Sequence, residues 1–422
     1  MDFPEIAGCT GAPAVGGDIT EERLPQRTRG AEAMNDKLSV INGLRGWAIL
    51  VVMFGHLFGA YFDPASPISV LAPQSMSPLR LLSFGGLGVP LFFIVSGFVL
   101  FLPYVMGKRE MTTRAALGTY YRRRAARLLP LYYLVVIVCL LFNQDPDLTD
   151  PKFFKQVIGA LTAGYCFSNH GFEPFINGPL WSLSVEVWFS VLFPLFVVVA
   201  VRYGVARLLI ATLVISLASR VLGTNLLATA ADGAYLPLAR GLPAHLDEFA
   251  IGMVLASLHH HGHLARHAAQ AGPAVAGGIL LIVLAVSWQA YVPVAQVLPV
   301  FQSLYQLGLV LLVAGLLAAP DAWSALPFTN RPIQVMGMMC YSLYLWHVPL
   351  RTPIFHALYA PMDHLAVTLP VYAALVAAIA GLSYRYIEFG RTADWRSLFL
   401  VRQHRPTEVP VAAVLPQVER PA

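Results

Sequence analysis

Apolar stretches recur along the chain, each closed off by a short polar segment, and their length decides what they are. A helix needs about 20 residues to cross a hydrocarbon core of ~30 Å. Windows of that kind lie at 43–62, 84–105, 128–143, 179–201, 206–223, 243–258, 272–291, 299–318, 332–350 and 365–385. The pattern predicts an all-α fold, a polytopic transmembrane helix bundle of about ten spans. The windows at 128–143, 206–223 and 243–258 are short, and 152–167 reads as a re-entrant or interfacial helix, so the number can move by one or two.

Composition agrees with the pattern. Of 422 residues, 57% are hydrophobic and only 12% charged, with a mean hydropathy of +0.63, far from the averages of soluble domains. Lys and Arg then orient the bundle, because cytoplasmic loops are enriched in them. With the N-terminus inside, the cytoplasmic side receives Lys108, Arg109, Arg114, Arg122, Arg123, Arg124 and Arg127, then Arg202, Arg207, Arg266, Arg331 and the C-terminal tail. The opposite side receives Arg80, Lys152, Lys155, Arg220, Arg240 and Arg351. Both termini are therefore expected in the cytoplasm of a multi-pass protein of the cell (plasma) membrane. The net charge of +5 is absorbed by this bias, and no nucleic-acid partner is expected.

Residues 1–37 are polar and lack the short apolar core of a signal peptide; they are expected to form a disordered cytoplasmic tail. Residues 38–390 form one transmembrane domain, and 391–422 a second cytoplasmic tail. Cys9, Cys139, Cys166 and Cys340 have unrelated spacings, which indicates neither a disulfide framework nor a metal site.

Several spans carry residues that lipid alone would exclude. In "INGLRGWAILVVMFGHLFGAYF" (41–62), Arg45 and His56 are separated by about 1100° of helical rotation, within ~20° of three turns, and by ~16 Å of rise. They share one face, Arg45 at the cytoplasmic mouth and His56 roughly two-thirds of the way across. A histidine at that depth is a functional candidate; a plain helix-to-helix hydrogen bond is the competing reading. Glu186 in "NGPLWSLSVEVWF", His347 in "CYSLYLWHVPL", and Asp247 with Glu248 in "AHLDEFAIGM" fall at similar outer-half levels, and their convergence predicts one polar chamber. On the inner side, Arg124 and Arg127 in "YYRRRAARLLPLYYL" are neighbours on a helical face. Their guanidinium forks suit phosphate, and with Arg45 they could hold a phosphate-bearing ligand; Arg122 and Arg123 read as topology determinants.

Five stretches in order, "GLRGWAILVVMFGH" with its Arg-x10-His, "GVPLFFIVSGFVL", "YYRRRAARLLPLYY" with its Arg-x-x-Arg, "PLWSLSVEVWF" and "YSLYLWHVPL", make residues 38–390 resemble the membrane-bound acyltransferase-3 family. The family modifies O-antigens and other glycans, Nod factors and some antibiotics. The resemblance implies acyl-CoA-dependent transfer, with acetyl-CoA the first choice of donor substrate. It implies His56 and Glu186 as catalytic residues and Arg45, Arg124 and Arg127 on the donor side; aromatic faces suit sugar rings, so Trp181, Tyr344, Trp346 and His347 could line an acceptor pocket, Trp181 reading equally as an interfacial anchor. Asn42 stands where an Asp commonly precedes Gly-Leu-Arg-Gly, and Val187 and Ser190 replace a more usual Glu and Tyr. Many members carry an appended extracytoplasmic domain, and none is expected here.

The mechanism so implied has His56 as general base or as a transient acyl carrier, with Glu186 orienting its imidazole. Expected partners are acyl-CoA, membrane lipid and a glycan, glycolipid or glycosylated small-molecule acceptor. Acylation of a secondary metabolite such as a macrolide is the alternative acceptor reading, and a proton-coupled transporter or flippase the alternative of another class. "HHHGH" (259–263) reads as a solvated loop, and Ser96 in "IVSGF" as a small helix-packing residue.

Overall fold

The computed structural model describes residues 26–62, 88–142, 151–168, 174, 176–227, 236–291, 294–357 and 365–388. The tail expected at 391–422 lies outside the described residues, as does 1–25. Every regular element among the described residues is helical: α1 Gln26–Phe62, α2 Gly88–Val105, α3 Arg114–Leu141, α4 Pro151–Thr162, α5 Leu180–Tyr203, α6 Val205–Leu227, α7 Leu236–Arg240, α8 Leu242–His260, α9 Ala271–Tyr291, α10 Val294–Ala318, α11 Leu326–Thr329, α12 Arg331–Met338, α13 Cys340–Ala357 and α14 Leu365–Ser383, the last continuing into a π-helical turn, Tyr384–Glu388.

Among the described residues, eight helical segments are long and apolar enough to cross a membrane, against the ten expected. The two that fall short, α8 and α13, are 19 and 18 residues long and carry the polar side chains His245, Asp247, Glu248, His347 and Arg351. The window 332–350 does not form one span. Asn330 caps α12 by accepting from the Ile333 N–H at 3.1 Å, and the chain breaks at Met339 before α13 begins. The window 128–143 is the middle of a much longer helix. Thr113 caps α3 by accepting from the Ala116 N–H at 3.1 Å, so α3 starts well before the apolar run. Helix α4, at 12 residues or ~18 Å, is too short to span, as expected for an interfacial segment. Helix α1 reaches back to Gln26, well ahead of the apolar window.

The core packs by close backbone approach as well as by side-chain volume. At the crossing of α2 and α8, a Cβ at Gly97 would collide with the Phe249 carbonyl and one at Gly252 with the Ile94 carbonyl; small residues permit such contact between membrane helices. Phe249 stacks on Phe189 with ring centroids 3.7 Å apart, locking α8 to α5. Long-range hydrogen bonds bring α3, α5 and α13 together: the Tyr120 hydroxyl donates to the Ser190 carbonyl at 2.9 Å, the Tyr341 hydroxyl to the Leu128 carbonyl at 2.6 Å, and the Asn177 amide to the Leu345 carbonyl at 3.1 Å. Apolar side chains such as Leu195, Ile210 and Val214 stay exposed, the outer surface a bundle in lipid presents.

Candidate active site

Helices α1, α2, α3, α5 and α13 enclose a group of polar side chains. The Arg124 guanidinium donates to Glu186 Oε1 at 2.6 Å and to Ser190 Oγ at 2.8 Å. Ser96 Oγ donates to the same carboxylate oxygen at 3.2 Å, so this serine fixes a charged group besides packing α2. Arg45, Arg127, Glu186, Ser182 and Tyr344 line a cavity of about 50 Å³, and the Ser182 and Tyr344 hydroxyls hydrogen-bond each other. A larger cavity of about 480 Å³ lies toward the basic end of the bundle, where α2 ends and α3 begins, bordered by Arg109, Arg123, Arg124 and Arg127. Arg127 borders both cavities, and Arg124 joins the outer one to Glu186 on the inner.

Arg45 and Arg127 make no hydrogen bond or ion pair to protein among the described residues. Three guanidinium groups, Arg45, Arg124 and Arg127, gather around Glu186, and the buried Glu388 carboxylate lies within electrostatic reach of Arg127 and Arg45. Against these two carboxylates one positive charge is left over, which in a low-dielectric interior is costly unless an anion or water balances it. The arrangement is therefore an anion-attracting site.

A second group lies further along α1. His56 Nδ1 is 2.9 Å from the Val52 carbonyl oxygen and 3.2 Å from His347 Nε2. The two rings are tilted by 60° with centroids 5.0 Å apart. His347 is fully buried; its Nδ1 is 2.7 Å from the Tyr344 carbonyl oxygen, and its own carbonyl accepts from the Tyr372 hydroxyl at 2.8 Å. One turn on, Arg351 donates to the His56 carbonyl at 2.5 Å. Tyr344 links the groups, because its phenol borders the small cavity while its carbonyl faces His347.

These positions correct three geometric expectations. Arg124 is expected at the inner mouth and Glu186 in the outer half, yet the two are in contact, Arg124 ~15 Å along α3 and Glu186 ~9 Å along α5. Glu186 does not orient His56; its carboxylate is taken up by Arg124 and Ser96, and the imidazole of His347 occupies that position instead. The single polar chamber is divided, because Asp247 and Glu248 belong to a separate cluster. Arg220 grips Asp247 at 2.6 and 3.3 Å, Gln306 donates to both carboxylates at 3.2 and 3.0 Å, and His245 Nδ1 is 2.9 Å from Glu248 Oε2. Trp181 is partly buried, its ring centroid 6.0 Å from that of His245, and does not border the Arg45 cavity. Arg220 and Arg351 read as loop-side charges in the sequence, but both point inward. The spacing of Arg351 four residues after His347, on one helical face, was the available signal.

A family model described as an acyltransferase domain, that of the acyltransferase-3 family, matches residues 38–385. Among curated proteins, the chain is similar to the peptidoglycan O-acetyltransferase OatA of Listeria monocytogenes, at 25% identity over 82% of this chain and 54% of that protein. It is similar also to the O-acetyltransferase OatA of Staphylococcus aureus, at 24% identity over 82% of this chain and 56% of that one. The chain thus spans little more than half the length of these relatives. No solved structure matches.

Proposed function

The chain belongs to the acyltransferase-3 family, and from that premise we propose that it is an integral-membrane O-acyltransferase moving an acetyl group from cytosolic acetyl-CoA to a hydroxyl of a carbohydrate. The observation that carries the donor assignment is the pair of guanidinium groups free of protein hydrogen bonds among the described residues, Arg45 and Arg127, which line the small cavity, Arg127 bordering the larger one as well. A volume of about 480 Å³ falls in the range of small-molecule sites, ~300–1,000 Å³, and the phosphates of coenzyme A suit arginine forks. The basic end of the bundle then faces the cytoplasm, in keeping with its Lys and Arg content.

In the reaction, the acceptor hydroxyl oxygen attacks the thioester carbonyl carbon while His56 takes the hydroxyl proton. The C–O bond forms, the C–S bond breaks, and the proton passes to the departing thiolate of coenzyme A. General-base help of this kind is worth ~10²- to 10⁴-fold. The name of the Listeria relative makes a surface glycan the first acceptor class to test, with glycosylated small molecules next. Nothing in this scheme requires a metal.

The test is transfer of label from [¹⁴C]acetyl-CoA by the purified protein in lipid nanodiscs to a panel of glycan fragments and glycosylated metabolites. Loss of transfer in His56→Ala with an unchanged melting temperature supports the scheme. Wild-type turnover in that variant removes His56 from it, and a wild type that takes no label from acetyl-CoA removes the donor.

A further inference from the structure

The hydrogen bonds around His56 determine which of its nitrogens is free to take a proton. Nδ1 lies 2.9 Å from the Val52 carbonyl oxygen, which can only accept, so Nδ1 carries the hydrogen. The same nitrogen lies 3.2 Å from His347 Nε2. His347 is constrained from its other side: its Nδ1 is 2.7 Å from the Tyr344 carbonyl oxygen, again an acceptor only. Neutral His347 therefore carries its hydrogen on Nδ1 and offers a lone pair at Nε2. The two constraints agree, and His56 Nδ1–H donates to both Val52 O and His347 Nε2. The reverse arrangement, with His347 Nε2–H donating to a bare His56 Nδ1, would set a lone pair against the Val52 carbonyl and, in neutral His347, a second against that of Tyr344.

We propose that His347 is a positioning residue for His56. Together with the Val52 carbonyl it holds the imidazole hydrogen on Nδ1, so that Nε2 receives the acceptor's proton, and it accepts a hydrogen bond that strengthens when His56 becomes an imidazolium. This rests on the reading of His56 as the general base.

Three further observations bear on the assignment. Both ring nitrogens of His347 are occupied and the residue has no exposed surface, which leaves it no polar atom for an acceptor sugar, the role its place in the sequence suggested. Helix α13 also grips the backbone of His56, through Arg351, so ring and main chain are held from one helix. A neutral imidazole supplies the acceptor without burying another charge, which a carboxylate in the same place would do at considerable cost in a membrane.

The test uses the full-length protein in lipid nanodiscs with [¹⁵N]histidine, the His56 signals being identified by their loss in His56→Gln. The expected result is a protonated Nδ1 and an unprotonated Nε2. A hydrogen on Nε2 instead overturns the proposal whether or not the protein transfers acetyl groups.

In the acetyl-CoA assay, His347→Leu should lower kcat about 10- to 100-fold with the KM for acetyl-CoA unchanged, the expected loss of one hydrogen bond to an ionised group. His347→Gln keeps a carbonyl acceptor and should stay within about threefold of wild type. Equal losses in both variants, tracking the folded fraction, would make His347 a packing residue and end the proposal. A wild type inert toward acetyl-CoA fails the proposed function alone, and the nitrogen assignment then decides this one.

Discussion

Arg124 on α3 and Glu186 on α5 meet at 2.6 Å, although their helices run in from opposite ends of the bundle. Arg124 lies ~15 Å from the start of its helix and Glu186 ~9 Å from the start of its own, and the pair is mostly buried, with side chains 11% and 19% exposed. Glu186 thereby offsets one guanidinium, Glu388 lies within electrostatic reach of Arg127 and Arg45, and the remaining positive charge attracts whatever anion enters the cavity.

Replacing that carboxylate separates its structural role from its effect on the ligand. Glu186→Gln removes the charge opposite Arg124 and should cost about 1–3 kcal/mol, the range for a hydrogen bond to an ionised group in partial burial, seen as a lower melting temperature in nanodiscs. It also adds a net positive charge beside the cavity, so acetyl-CoA should bind as tightly or more tightly at low salt. An unchanged melting temperature together with weaker binding would move Glu186 from structural partner to donor ligand.

Arg45 and Arg127 should behave in the opposite way. Arg45→Gln and Arg127→Gln sever no protein hydrogen bond among the described residues, so melting temperatures should change little, the lost attraction to Glu186 and Glu388 being set against one partly buried charge fewer. The dissociation constant for acetyl-CoA, measured by calorimetry, should rise about tenfold or more for each, with a shallower dependence on salt. Affinities that do not move would reduce both residues to determinants of orientation.

Much of this was legible along each helix and little of it across them. The spacing of Arg45 and His56 places both on the face toward α13: Arg45 shares a cavity with Cys340, and His56 meets His347. Depth within a span follows from sequence because each residue adds a fixed rise. Lateral neighbours do not, since they depend on the order of helices in the plane of the membrane. Depth alone did not pair Arg124 with Glu186, because a guanidinium on a long side chain reaches beyond the level of its own Cα. Arg220 and Arg351 misled for a related reason, their long side chains carrying the charge inward from positions that read as a helix end.

The crossing of α2 and α8 supplies a prediction about how packing sustains the site. A methyl group at Gly252 would run into the Ile94 carbonyl, and backbone cannot yield as a side chain can. Gly252→Ala should therefore cost about 1–3 kcal/mol, and because α2 carries Ser96 and Phe93 on the cavity wall, kcat should fall with stability. Gly118, on α3 with open space around it, is the control; Gly118→Ala should leave the melting temperature unchanged or raise it, as alanine favours a helix by about 1 kcal/mol. Equal melting temperatures for the two variants would mean that the helices separate at no cost.

The cluster around Arg220 tests whether a buried charged group outside the cavities takes part in the reaction. Arg220 is 1% exposed and Asp247 0%, and neither borders the cavities that hold Arg45 and Arg127. Removing one partner strands the other in a low-dielectric interior, so Asp247→Leu and Arg220→Met should each cost about 3–5 kcal/mol. Making both changes removes the stranded charge and should restore most of the loss, because apolar replacements of buried ion pairs are commonly neutral or stabilising. A purely structural cluster predicts that kcat per folded molecule recovers along with the melting temperature. A double variant that regains its melting temperature but stays inactive would instead place these charges in the transfer reaction, and the cavity between α1, α3, α5 and α13 would not then be the whole of the active site.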